Sequence, residues 1–249
     1  MISENIFPVI FENVAMQFGK HVVHRDINLK IRQGEVITIM GPSGTGKTLL
    51  LKMIIGLLRA TSGKVTVFGK SVFEAEQDEL GDIRSKIGML FQGAALFDSL
   101  TVYENIAYSL RERFSMPEAE IDRIVSERLD WVNLAGIENK YPPELSGGQK
   151  KRVALARALA SSPSVMLFDE PTTGLDPTSV RLIDDLIIKL KNELNITSIV
   201  VTHDMESAKR VSDRWVLINN GFIVADGEPS RLLAENRFIN SFVTGRWEE

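Results

Sequence analysis

The chain has 249 residues, of which 44% are hydrophobic and 25% charged, with a formal net charge of -4. That composition suits one large core or two tightly joined subdomains, and it offers no strongly basic field to hold a nucleic-acid backbone. The absence of cysteine excludes disulfides, thiolate zinc sites and cysteine nucleophiles. The opening text MISENIFPVI lacks the basic start and apolar core of a signal peptide, and no apolar run reaches the length of a membrane-spanning helix. Any membrane connection is therefore expected to run through a partner.

Residues 9–14 and 22–31 show the short alternation of strands, and the apolar run 36–40 reads as a buried strand. A glycine-rich segment follows, then an apolar helix over 48–58. Residues 65–68 and 87–91 are further strand candidates, so the first hundred residues read as strands with one helix among them. The next sixty read as helical. Thr101 with Glu104 three residues on predicts a capped helix start, Pro117 opens a second helix, and residues 148–160 form a third after the YPPE break. Sheet-like text then resumes with a strand at 165–168, a helix at 178–194, a strand at 199–202 and a helix at 204–211. A hairpin of 214–218 with 222–225 turns around Asn219-Asn220-Gly221. The alternation predicts an α/β fold with a mostly parallel sheet, interrupted by a helical insertion. Near the end, Phe238, Phe242 and Val243 share one helical face, with Trp247 beyond. Packing on the chain's own core and docking on a second subunit are both open there.

Gly41-Pro42-Ser43-Gly44-Thr45-Gly46-Lys47-Thr48 matches G-x-x-x-x-G-K-[ST], between a predicted strand and a predicted helix. Its glycines let the backbone curl with N–H groups pointing inward, and the following helix start favours a polyphosphate. Lys47 is expected to reach the β- and γ-phosphates, and Thr48 to ligate Mg²⁺. Further along, the apolar run 165–168 ends in Asp169 and Glu170. Two carboxylates at the tip of a buried strand need a partner there, since desolvation is otherwise unfavourable. Asp169 is placed to hold Mg²⁺, and Glu170 to accept the proton of an attacking water. His21 and His24, outside any motif, read as ordinary strand residues.

Leu145-Ser146-Gly147-Gly148-Gln149 is identical to the LSGGQ signature of ABC ATPases, and with the two motifs above the chain resembles that family along nearly its whole length. The resemblance implies a P-loop NTPase fold: a RecA-like core, an N-terminal antiparallel β-subdomain and an inserted α-helical subdomain. The core would span 1–92 and 162–249, and the insertion 93–161. It implies ATP and Mg²⁺, with the nucleotide held between the P-loop of one copy and Ser146, Gly147, Gly148 and Gln149 of a second. Gln92 matches the glutamine that senses Mg²⁺ and the membrane partner. Asp176, in Gly174-Leu175-Asp176-Pro177, matches the loop that crosses the pair interface. His203 matches the histidine that contacts the γ-phosphate, and Phe18 resembles the aromatic that stacks on adenine. Leu49 departs from the hydroxyl residue usual after Thr48.

The text Leu90 to Val102, LFQGAALFDSLTV, is similar to that of the ATPases of bacterial phospholipid transporters that work with MCE proteins, although Gln149 follows the general family. This narrower resemblance implies a role in outer-membrane lipid asymmetry at the cytoplasmic face of the inner membrane. The implied partners are an integral membrane permease, an MCE-domain protein and a small STAS-type regulatory subunit, with no nucleic acid. An ATPase for another cargo, such as an amino acid, ion or drug, is the alternative. A member acting on DNA or ribosomes would show two cassettes, a long coiled-coil insertion or basic surfaces, and the sequence has none of these. Leu96, Phe97 and Leu100 are expected to face the permease.

Overall fold

The computed structural model describes residues 7–244 apart from Ser115. Strands β1 (Val9–Phe18) and β2 (His21–Ile31) pair antiparallel and are followed by β3 (Val36–Met40), buried at every position. Helix α1 (Lys47–Ile54) stops short of residue 58 because Gly56 turns the backbone left-handed at φ +65. Then come β4 (Ser62–Val67), β5 (Lys70–Ser71), α2 (Gln77–Ser85) and β6 (Ile87–Leu90). Helix α2 corrects the expectation of a single helix in this region. Only Ile83 of its nine residues is buried, so it carries almost no apolar periodicity.

Three helices lie between β6 and the next strand: α3 (Val102–Arg113), α4 (Glu118–Trp131) and α5 (Gly147–Leu159). The start of α3 is a capping box, the Thr101 hydroxyl accepting from Glu104 N–H and the Glu104 carboxylate from Thr101 N–H. Pro117 caps α4, and a 3-10 turn at Pro142–Glu144 makes the YPPE break. The chain closes with β7 (Val165–Asp169), α6 (Pro177–Leu194), β8 (Thr197–Val201), α7 (Met205–Val211), β9 (Arg214–Asn219), β10 (Phe222–Gly227), α8 (Pro229–Glu235) and α9 (Arg237–Val243). Asn220 and Gly221, both at positive φ, form the two-residue hairpin turn foreseen at this point.

The strands run in the order β5-β4-β1-β2-β10-β9-β3-β8-β7-β6. Strands β5, β4, β1 and β2 are antiparallel, whereas β9, β3, β8, β7 and β6 are parallel throughout. The two halves meet where Gly221 C=O accepts from Arg25 N–H at 2.9 Å. One apolar cluster lies under α1 between the halves; a second runs from β6 and β7 into α3, α4, α5 and α6. The helical insertion thus shares its core with the parallel sheet and has no separate one. A third cluster, around Trp215, receives Phe238, Phe242 and Val243 of α9, so this face packs on the chain's own core. Trp247 lies outside the described residues. Among them, no helix is long and apolar enough to cross a membrane.

Asn105, fully buried in α3, accepts from Phe97 N–H at 2.8 Å and donates to the carbonyls of Phe97, Leu100 and Thr101. It thereby fixes the loop between β6 and α3. Asn105→Ala is expected to lower the unfolding free energy by about 1–3 kcal/mol, because it strands buried amide and carbonyl groups. The shift of the urea midpoint at unchanged slope measures this, and an unmoved midpoint would show that the loop finds other partners.

Candidate active site

Parallel pairing aligns three neighbouring strands in register: Ile39 of β3 faces Val201 of β8, which faces Asp169 of β7. The segments that leave these strands therefore emerge side by side, and they carry Gly41 to Thr48, His203 and Glu170. Strand β6, paired with β7 through Leu90 and Phe168, delivers Gln92 to the same edge. Ligands bind at the carboxyl ends of such sheets because the helices that follow present their N-termini there.

The P-loop curls as expected, and two of its glycines are required sterically. A Cβ on Gly41 would run into the carbonyl of Ile218; one on Gly46 would lie 2.5 Å from Val23 Cγ1 and 2.6 Å from His24 Nε2, at φ +82. His24 is a site residue that its sequence position did not reveal. It is fully buried, burial pulls its pKa down, and Nε2 lies 3.1 Å from the Thr45 carbonyl. The neutral ring thus donates from Nε2 and braces the outside of the loop. Lys47 opens α1, and its ammonium donates to Gly41 O at 2.8 Å and Pro42 O at 2.9 Å. Burial depresses its pKa, against the opposing pull of Glu170 and Asp169. Leu49 packs against the apolar cluster beneath α1, which accounts for a leucine at a position usually taken by a hydroxyl residue.

The Thr48 hydroxyl donates to Asp169 Oδ1 at 2.7 Å, joining α1 to the tip of β7. Two neighbouring hard oxygen ligands, with phosphate oxygens able to complete the shell, suit Mg²⁺, which takes few protein ligands. Glu170 follows at φ +50, its N–H bonded to Val201 C=O at 2.9 Å. Its Oε2 lies 2.9 Å from His203 Nδ1 and 3.1 Å from Thr173 Oγ1. A carboxylate held by two donors, beside a loop built for phosphates, is positioned to take a proton from water.

The remaining predicted residues stand on other elements of the fold. Gln92 is exposed just beyond β6. Phe18 ends β1 and is 50% exposed, which leaves it open to a planar ligand. Ser146 caps α5: its hydroxyl accepts from Gln149 N–H, and Gln149 Oε1 accepts from Ser146 N–H at 2.9 Å. No acidic residue occupies the first turn of α5, so its N-terminus stays open to an anion. Asp176 caps α6, where the Ser179 hydroxyl and amide hold its carboxyl below the usual range. Leu96 corrects an expectation: it packs partly against the core, whereas Phe97 is 48% exposed with its ring 5.3 Å from that of the equally open Tyr108.

Residues 24–173, more than half of the chain, match the family described as ABC transporter. The chain is 40% identical to the intermembrane phospholipid transport system ATP-binding protein MlaF of Haemophilus influenzae, over 93% of this chain and 87% of that protein. It is 42% identical to the sulfate/thiosulfate import ATP-binding protein CysA of Nitrosomonas europaea, over 93% of this chain but only 64% of that protein. Among solved structures, the dimeric post-hydrolysis ATP-binding cassette MJ0796 bound to ADP and Pi superposes with a TM-score of 0.81 at 35% identity, over 88% of this chain and 98% of that one. The chain belongs to the ABC transporter family and is an ATP-binding, ATP-hydrolysing transporter ATPase with a RecA-like core, an N-terminal β-subdomain and an inserted helical subdomain.

Proposed function

We propose that two copies of this chain close on ATP to drive phospholipid movement through a membrane permease. The observation that carries the hydrolytic half is the joined constellation of Thr48 with Asp169 and of Glu170 with His203, beside the Lys47 ammonium. In this reading the amides of Gly44, Gly46, Lys47 and Thr48 receive the phosphates, and Lys47 exchanges its two loop carbonyls for phosphate oxygens. Thr48 and Asp169, with Gln92 nearby, hold Mg²⁺, which when bound neutralises charge on the β- and γ-phosphate oxygens. Glu170 takes the proton of the attacking water, and His203 keeps the carboxylate aimed through Nδ1. Phe18 stacks on the adenine.

The open N-terminus of α5 supports the pairing. Ser146, Gly147 and Gly148 of one copy would receive the γ-phosphate bound to the other, and Asp176 would lie along the same interface. The MJ0796 cassette is itself dimeric. Closure would move the core, 1–92 and 162–249, against the insertion, 93–161. The Phe97–Tyr108 pair is the exposed apolar surface next to Gln92, and we assign it to the permease at the cytoplasmic face of the inner membrane. An MCE-domain protein and a STAS-type regulatory subunit complete this assembly.

The phospholipid cargo is supported by the text around Gln92 and by the likeness to the Haemophilus protein. Likeness to the sulfate/thiosulfate relative is just as great and supports a second reading, another cargo such as an ion. Purification from native membranes separates the two: the phospholipid reading expects a co-purifying permease, MCE-domain protein and lipid. A soluble solute-binding protein in their place would overturn it and leave the ATPase untouched.

Glu170→Gln is expected to retain ATP affinity by calorimetry and to lose hydrolysis by about 10²–10⁴-fold, the usual contribution of a positioned general base. Turnover near that of the parent would refute the assignment of the base. Phe97→Ser with Tyr108→Ser is expected to leave a folded, ATP-binding subunit that no longer assembles with the permease. Intact assembly in that double variant would move the docking surface elsewhere.

A further inference from the structure

Lys151 lies in the second turn of α5 and is only 5% exposed. Its ammonium donates to three backbone carbonyls: Gln92, Glu170 at 3.2 Å and Phe91 at 3.5 Å. Three N–H donors meet three acceptors, and among the described residues no ion pair includes this lysine. Burying a cation against neutral carbonyls is unfavourable unless the contacts themselves matter, and an apolar side chain would fill the same space. Burial depresses its pKa, with Asp169 and Glu170 pulling the other way.

The acceptors are not arbitrary. Glu170 ends the segment leaving β7 in a left-handed conformation at φ +50, which a non-glycine residue keeps only when its neighbours hold it. Its N–H is tied to Val201 and its C=O to Lys151, so the peptide units on both sides are pinned. Gln92 leaves the adjacent strand β6. The same helix makes a second grip further along this loop: Arg157 donates to Ala95 O at 2.8 Å and Ala94 O at 3.1 Å, where both alanines have positive φ. One helix therefore holds the strained backbone on both segments that flank the reacting edge.

We propose that Lys151 is a positioning residue for ATP hydrolysis, acting through the backbone of Glu170, which it ties to the helix whose N-cap is Ser146. The role rests on the reading of Glu170 as the base. Lys151 touches no reacting atom; it sets where the Glu170 carboxylate points, with the carbonyls of Phe91 and Gln92 as the anchor for its ammonium. Because α5 begins at the signature, a shift of that helix on pairing would be felt directly at the base of the same chain.

The test uses the purified full chain with Lys151→Met, Lys151→Gln and Lys151→Arg, alone and combined with Glu170→Gln. Lys151→Met is expected to leave ATP affinity unchanged and to lower kcat by about tenfold to a hundredfold, the scale of a small misplacement of a reacting group. Lys151→Arg, which keeps several donors, should recover part of the loss. In the Glu170→Gln background, Lys151→Met should lower the single-turnover rate no further, since the group it aims is already gone. A parental kcat in Lys151→Met overturns the proposal. So does a further multiplicative loss in the Glu170→Gln background, or unfolding of both Met and Gln variants, each of which marks a general structural role. Near-parental turnover of Glu170→Gln alone would instead remove the base, and with it any need to aim it.

Discussion

The Thr48 hydroxyl donates to the Asp169 carboxylate over 2.7 Å, and the geometry of the whole reacting edge depends on that contact. It forms only if helix α1 starts directly above the end of β7, although β7 is not next to β3 in the sheet. Strand β8 lies between them, so the register Ile39–Val201–Asp169 must hold across all three. These strands are buried at every position, which makes register slips expensive and keeps their ends level. The apolar packing of the sheet is thus what brings a hydroxyl, two carboxylates, an ammonium and an imidazole within reach of one another.

Placing those groups requires backbone that does not relax into ordinary strand or helix. Gly41 and Gly46 solve this by lacking a side chain, because Ile218 and His24 fill the space a Cβ would need. Glu170, Ala94 and Ala95 cannot use that solution, and their carbonyls are held by cations from α5. Strain and its restraint come from different parts of the chain. The restraint belongs to the helical insertion, which shares one apolar cluster with β6 and β7. An insertion with its own closed core would be free to swing without disturbing Glu170, whereas this one is mechanically continuous with it.

Much of this was legible in the sequence because its signals are local. The P-loop, the strand ending in Asp169 and Glu170, the capping box at Thr101 and the hairpin at Asn220-Gly221 each encode their conformation within a few residues. His24, Asn105 and Lys151 were not legible, since each acts on carbonyls that only the fold brings near. A histidine in an alternating strand, an asparagine in a helix and a lysine after a signature all look like solvated residues until burial is known. Helix α2 was missed for the opposite reason: with only Ile83 buried, its text resembles a polar loop. Leu96 shows how an apolar residue next to a motif invites a functional reading although it packs partly against the core.

Two of the matched relatives are named for unlike cargo, one for phospholipid and one for sulfate or thiosulfate. The hydrolysis of ATP concerns phosphates and water, which are the same whatever the cargo. The loop after Gln92 offers a surface whose side chains can change without moving Glu170. Its backbone is clamped from inside by Asn105 and Arg157, through contacts to carbonyls and one amide that any residue supplies. The exposed Phe97 side chain, paired with Tyr108 of α3, bears no part of that load. A fixed backbone carrying exposed side chains lets the surface chemistry vary while the path from Gln92 to Glu170 stays the same, which is why the proposed permease contact is sought there and not in the nucleotide site.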